Sequence, residues 1–282
     1  MKTNSMLLMV LSIFLFFGAC SKNKKTQELS NNQTSEKTKV TIEKSQQDIS
    51  IKTSHKHLII NNPHGNIYIR KTSEPFIGIL STMQLIGDSS ERADIKIKNK
   101  SNTIKLNITY PSDKTLGVNE LINGHVKGRV DLLVYVPSHL KLKLVTTYGS
   151  INVKRVDNDI DLYTTTGSVK FSSKGRPNIT TVSGDVYAYL INPNWKKESK
   201  ITSISGNLVI TFPELSSLNL KASSNNSIQN NFNVKSTLKN QKHFLTYQSK
   251  NTPLSITNTI GSIKLVDMSN HKVKLSQEEK TP

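Results

Sequence analysis

The best local candidate for chemistry in this chain is Asp157-Asn158-Asp159-Ile160-Asp161, where three acids stand at every second position. On a β-strand such residues share one face. Glycoside hydrolysis requires two carboxylates roughly 5–10 Å apart across the sugar bond. The same spacing could hold calcium, but an EF-type loop needs a Gly and a later Glu at set positions, and both are absent. The plainer reading is a solvated charged edge that discourages strand pairing, since one acidic cluster without a partner motif makes no active site. Of the seven histidines, only His55 and His57 form a close pair, and no cysteine or nearby carboxylate completes a metal site around them. Neither H-E-x-x-H nor G-x-S-x-G occurs. The sequence therefore predicts no catalytic residue, no metal and no cofactor. Trp195, the only tryptophan, follows Pro193 and precedes Lys196 and Lys197. Exposed beside cations, it would be a ligand contact for a sugar or a partner; folded back, it would cover the flank of the domain.

The address is written in the first twenty residues. Lys2 precedes an apolar run from Met6 to Phe17, too short to cross a bilayer core of roughly 30 Å as a helix. Small residues then lead into Cys20, the only cysteine, so no disulfide can form within one molecule. Phe17-Gly18-Ala19-Cys20 resembles the lipobox of bacterial lipoproteins, departing from it at Phe17, where an aliphatic residue is usual. The resemblance implies a signal peptide over 1–19, lipid attachment at Cys20 and an exported, membrane-anchored chain. Ser21 in place of Asp implies the outer membrane, by resemblance to the Gram-negative sorting pattern. Residues 20–50 are polar and poor in aliphatics, which predicts a disordered linker able to stretch to about 100 Å. Removing Lys2 with the signal leaves 37 basic and 20 acidic residues, a formal +17 against +18 for the whole chain. Such a charge fits anionic glycans or head groups. Lys141 and Lys143 alternate with leucines, as solvent-facing strand positions do, and no long basic block appears, so no specific nucleic-acid partner is expected.

The elements that would carry any site are repeats. T-T-Y-G-S-I-N-V (146–153), T-T-T-G-S-V-K-F (164–171), T-V-S-G-D-V-Y-A (181–188), S-I-S-G-N-L-V-I (203–210) and N-T-I-G-S-I-K-L (258–265) share one grammar. Gly149, Gly167, Gly184, Gly206 and Gly261 mark its corner, and Gly65 marks an earlier copy in L-I-I-N-N-P-H-G-N-I-Y-I (58–69). A weaker copy at 224–230 carries Asn226 in the glycine's place and follows Gly206 by twenty residues. Five residues before the corners stand Leu144, Leu162, Ile179, Ile201 and Ile256. Two short strands joined at a glycine cannot bury one apolar face alone, so copies must stack. That predicts an all-β chain: a parallel β-solenoid, or β-helix, over 138–266, an N-terminal β-strand and hairpin region over 51–137, and a polar tail over 267–282. The corner glycines are expected at positive φ. Thr146, Thr164, Thr181 and Ser203 would form a hydroxyl ladder, structural if it satisfies the turns and ligand-binding if it forms a flat outward array.

From about residue 56 to 266 the chain resembles the DUF4097 family of bacterial β-strand-repeat, adhesin-like domains. The resemblance is carried by V-D-L-L-V-Y-V-P-S-H-L-K-L-K-L-V-T-T-Y-G-S-I-N-V (130–153) and the glycine turns after it. It implies a β-solenoid at the cell envelope and no reaction. The expected function is a non-catalytic envelope lipoprotein presenting an adhesive or scaffolding surface to an envelope polysaccharide or protein. The alternative is a polysaccharide-active β-helix enzyme.

Overall fold

A computed structural model of the chain describes residues 23–27, 39–52, 55–87, 90–114, 127–249 and 251–269. Alternation sets the architecture. Along Lys141–Tyr148, Ile160–Thr166, Pro177–Ser183 and Ser199–Ser205 every second side chain is buried, as a strand with one wet face requires. Parallel pairing then places like residues side by side. Leu106, Ile60, Leu144, Leu162, Ile179, Ile201, Ile256 and Ala222 form one aliphatic row across eight strands. Opposite it, Leu132, Ile67, Ile151, Val169, Val186, Leu208, Ile263 and Ile228 form another. The five residues that precede the corners thus meet as their spacing requires.

The chain is all-β, in two mixed sheets of eleven strands each. The interior runs of both sheets are parallel; antiparallel strands stand at both ends of the second sheet and at one end of the first, whose other edge strand, Ile228–Asn230, is parallel. The repeats therefore form parallel runs inside mixed, unclosed sheets, a coarser arrangement than the parallel solenoid expected from them. Asp94–Lys100 and Thr103–Thr109 form a hairpin within the region 51–137 where one is expected. No helix among the described residues is long and apolar enough to cross a membrane.

One sequence reading needs correction. Val40–Ser50, placed in a disordered linker, is an eleven-residue strand paired along its whole length with Phe76–Ile86. Asn23–Gln27 pairs antiparallel outside it. Low aliphatic content predicts disorder for a segment that must bury its own core, whereas an outer strand is held by a backbone ladder to a neighbour already in place. The stacking order also departs from the order of the copies along the chain. The copy at 224–230 does not lie against the Gly206 copy; Thr252–Ile260 and Ile263–Asp267 come between them. The chain runs to the end of the stack, turns through the strands Thr237–Lys239 and Lys242–Tyr247, and returns to insert the Gly261 copy one place inward.

The hydroxyl ladder points inward. Thr146, Thr164, Thr181, Ser203, Asn258 and Ser224 are in register and all fully buried, which removes a flat outward ligand array. Several of them satisfy corner carbonyls: Thr164 Oγ1 donates to the Gly149 oxygen at 3.2 Å, Asn258 Nδ2 to that of Gly206 at 2.8 Å, and Ser224 Oγ to that of Gly261 at 2.9 Å. The Thr181 hydroxyl has no partner. Valine keeps the branched shape of threonine and removes only the hydroxyl. Thr164→Val is therefore expected to cost about 1–2 kcal/mol, by orphaning a carbonyl, and Thr181→Val to be neutral or slightly stabilising. Urea midpoints for the two variants check this; equal losses at both positions contradict it.

Candidate functional site

Each acid of the 157–161 cluster is engaged. Asp157 accepts a hydrogen bond from Lys71 Nζ and lies 3.8 Å from Lys174 Nζ. The Lys71 ammonium holds the Asp157 carboxyl below its ordinary range, with a smaller charge effect from Lys174. The stabilisation from this pair is present at neutral pH and is lost as pH falls through the lowered pKa. Asp159 accepts the Arg176 backbone N–H at 2.9 Å, and Asp161 accepts from Asn178 Nδ2 at 2.7 Å. The three acids thus serve as an ion-pair partner and as acceptors that tie neighbouring copies together. His55 is buried, with its Nδ1 accepting the Lys52 N–H at 3.0 Å, and no group of three potential metal ligands exists among the described residues.

Trp195 is 9% exposed, and its Nε1 donates to the Pro253 carbonyl at 3.2 Å. It lies folded against the flank, beside a shallow recess formed with Asn192, Pro193, Asn251 and Pro253. The corner glycines Gly65, Gly167, Gly184, Gly206 and Gly261 have φ between +124° and +149°, while Gly149 does not take a positive φ. Cys20 lies outside the described residues.

The concavity with the most chemistry was not visible in the sequence. On the outer face of the first sheet, Val40–Ser50, Phe76–Ile86, Arg129–Val136, Ile67–Lys71 and Ile151–Val156 lie side by side in that order. Pairing brings Lys44, Thr82 and Asp131 into one row, Leu80, Leu133 and Tyr68 into the next, and Tyr135, Arg70 and Lys154 into a third. Gly78 stands opposite Tyr135, where a Cβ on the glycine would come within 3.6 Å of the tyrosine's Cβ. These side chains, with Lys71 and Arg155, line a groove of about 780 Å3. Its floor is tyrosine and leucine, and its rim is cationic.

The rim is built by a bulge. Ile151–Val156 pairs in register with Val169–Ser173 through Val153, then slips so that Val156 meets Ser173. One extra residue is accommodated, Arg155 takes φ +50°, and both Lys154 and Arg155 face solvent where strict alternation would bury one of them. Such a backbone is costly for a residue with a side chain. The broken alternation of I-N-V-K-R-V, apolar at 151, 153 and 156, is the sequence signal that could have revealed it. Lys44, Lys154 and Arg155 have no acid partner among the described residues. The single acid of the lining, Asp131, is occupied: its Oδ1 accepts from Arg129 Nε at 2.9 Å and from the Asn66 N–H at 2.8 Å. The groove thus carries a net positive field over an apolar floor.

No family model matches the chain, and no curated protein matches it by sequence. Solved structures do share similarity with it. A candidate cell adhesion protein from Clostridium sporogenes is 15% identical, with 79% of this chain and 99% of that chain covered and a TM-score of 0.43. A candidate adhesin from Bacteroides fragilis is 12% identical, covering 79% and 96%, with a TM-score of 0.28. Another from Parabacteroides merdae is 11% identical, covering 79% and 95%, with a TM-score of 0.23. At these identities and TM-scores the likeness assigns no function. What the site can do rests on its own chemistry: unpaired cations beside tyrosine rings hold an anion and stack against an apolar or ring-bearing group.

Proposed function

We propose that this protein is a non-catalytic lipoprotein of the cell envelope, exported and anchored through Cys20. Its body, whose parallel interior is read as a β-solenoid of the DUF4097 type, is an adhesive and scaffolding surface. The observation that carries this is the cationic groove, where Lys44, Lys154 and Arg155 surround Tyr68, Leu80 and Tyr135 without acid partners. Its occupant is an anionic component of the envelope. The competing reading, a polysaccharide-active enzyme, has only the 157–161 acids to draw on, and these are tied up in ion pairs and turn hydrogen bonds.

The mature chain, carrying Cys20→Ser so that no lipid contributes, is expected to bind isolated envelope fractions at moderate salt. Reversing the two bulge charges with Lys154→Glu and Arg155→Glu is expected to weaken that binding about tenfold or more without lowering the melting temperature. Binding indifferent to both reversals would remove the groove from the function. Release of reducing or unsaturated ends from envelope glycans, lost on Asp159→Asn, would instead establish the enzyme.

A further inference from the structure

The groove begins on the strand that pairs with the segment leading to Cys20. Asn23 is the register partner of Lys44, in the outermost strand of the first sheet. Cα atoms paired across antiparallel strands are about 4.5–5.5 Å apart. Two residues, Ser21 and Lys22, separate Asn23 from Cys20, which makes three Cα steps of at most about 3.6 Å each. A lipid on Cys20 would therefore be tied to the strand beside Lys44 by a tether of only about three Cα steps. A body held this closely cannot stand off its membrane on a long stalk. The strand next to that tether, Val40–Ser50, contributes Lys44 to the groove.

We infer that the groove is a docking site for the anionic phosphate head groups of the bilayer in which the chain is anchored. The inference rests on the proposed lipidation of Cys20 and names the anion that the proposed function leaves open. Three features fit a head-group layer. Polar head groups occupy a band of several ångströms on each side of the hydrocarbon, and the field of an anionic leaflet decays within about 8 Å at physiological salt, so cations act on it only at such close range. Tyr68 and Tyr135 in the floor are of the type that settles at membrane interfaces, with the ring toward the acyl region and the hydroxyl toward water. Leu80 and Tyr135, each 38% exposed, add apolar surface in the same patch. Acyl chains and a basic patch are the two signals that together make membrane attachment stable, and here one lies next to the other.

The test uses the mature Cys20→Ser chain, so that attachment reports the groove and not the lipid. Vesicles of phosphatidylcholine alone are compared by co-sedimentation with vesicles containing about one quarter phosphatidylglycerol, at about 0.1 M salt. Partitioning is expected to be about tenfold stronger on the anionic vesicles and to fall to the neutral level with Lys154→Glu and Arg155→Glu. A control carries Lys141→Glu and Lys143→Glu, the same change in net charge on the outer face of the second sheet, and is expected to keep most of the binding. Equal loss in the control means diffuse attraction and overturns the proposal. Absence of binding to anionic vesicles also overturns it; if groove-dependent binding to envelope fractions survives, the broader function stands and the occupant is another anion. Acyl incorporation into the wild-type chain, absent with Cys20→Ser, tests the lipidation separately.

Discussion

Gly184→Ala is expected to lower the thermal midpoint by about 10 °C or more. Gly184 has φ +149°, a region that side chains avoid at a cost of about 1–3 kcal/mol. The larger obstacle is space. A Cβ built on Gly184 would fall 2.1 Å from the carbonyl oxygen of Gly167, and that carbonyl belongs to the next copy in a rigid ladder. The same contact recurs along the stack, from Gly149 onto Gly65 at 1.9 Å to Gly261 onto Gly206 at 2.1 Å. The glycines are therefore seated on one another, and a methyl group must push two copies apart. Overpacking a well-packed interior costs about 1–3 kcal/mol, so the two effects together come to roughly 2–6 kcal/mol, at about 2–4 °C each. Two companions separate the causes. Gly149→Ala meets the contact without the positive φ and is expected to lose most of the same stability. Gly87→Ala has φ +72° with nothing within 4 Å of the new Cβ, and is expected to lose only about 1–2 kcal/mol. A wild-type midpoint for Gly149→Ala would show that backbone angle, not close stacking, sets the requirement.

The stacking contact marks the boundary of what the sequence could disclose. Leu144, Leu162, Ile179, Ile201 and Ile256 were legible as one row because their spacing from the glycines is local and repeated. The order of the copies was not. Periodicity shows which residues are equivalent, but it carries no record of which copy lies beside which, so the return of Thr252–Ile260 inward of Leu218–Ser224 had no signal. Gly149 and Gly184 looked alike for the same reason, since a turn needing positive φ and a turn needing empty space both select glycine. The groove was hidden more deeply. Lys44, Tyr68, Leu80, Tyr135 and Arg155 come from five separate strands, each polar or apolar for ordinary reasons, and only the order of the first sheet joins them. Among the residues singled out for chemistry, Trp195 and the 157–161 acids were conspicuous because their types are scarce or clustered, which says nothing of whether their polar atoms are already occupied.

Asn158, in the middle of that acidic cluster, shows how far occupancy matters, and Asn158→Ala is expected to cost about 3 kcal/mol. The side chain is 1% exposed, and its Nδ2 donates to the Pro137 carbonyl at 2.8 Å and to the Leu140 carbonyl at 2.8 Å. Those two oxygens belong to the turn that takes the chain from Arg129–Val136 in the first sheet into Lys141–Tyr148 in the second. Its Oδ1 has no partner, so the residue serves through its donor alone. Alanine leaves two acceptors without it, each worth about 1–3 kcal/mol when buried. Asn158→Asp is the sharper variant. It has nearly the same shape, but an ionised carboxylate can only accept, and it would face two carbonyl oxygens in a dry turn. The introduced carboxyl is therefore driven toward its protonated form, with a folded-state pKa raised above the unfolded value. By linkage the variant keeps most of its stability below the ordinary carboxyl pKa of about 4 and loses it as pH rises through the folded-state value. Urea unfolding at acidic and neutral pH is expected to show Asn158→Asp weakening steeply while Asn158→Ala shifts no more than the wild type. If both variants respond to pH alike, the amide is not holding the turn through its donated hydrogen bonds.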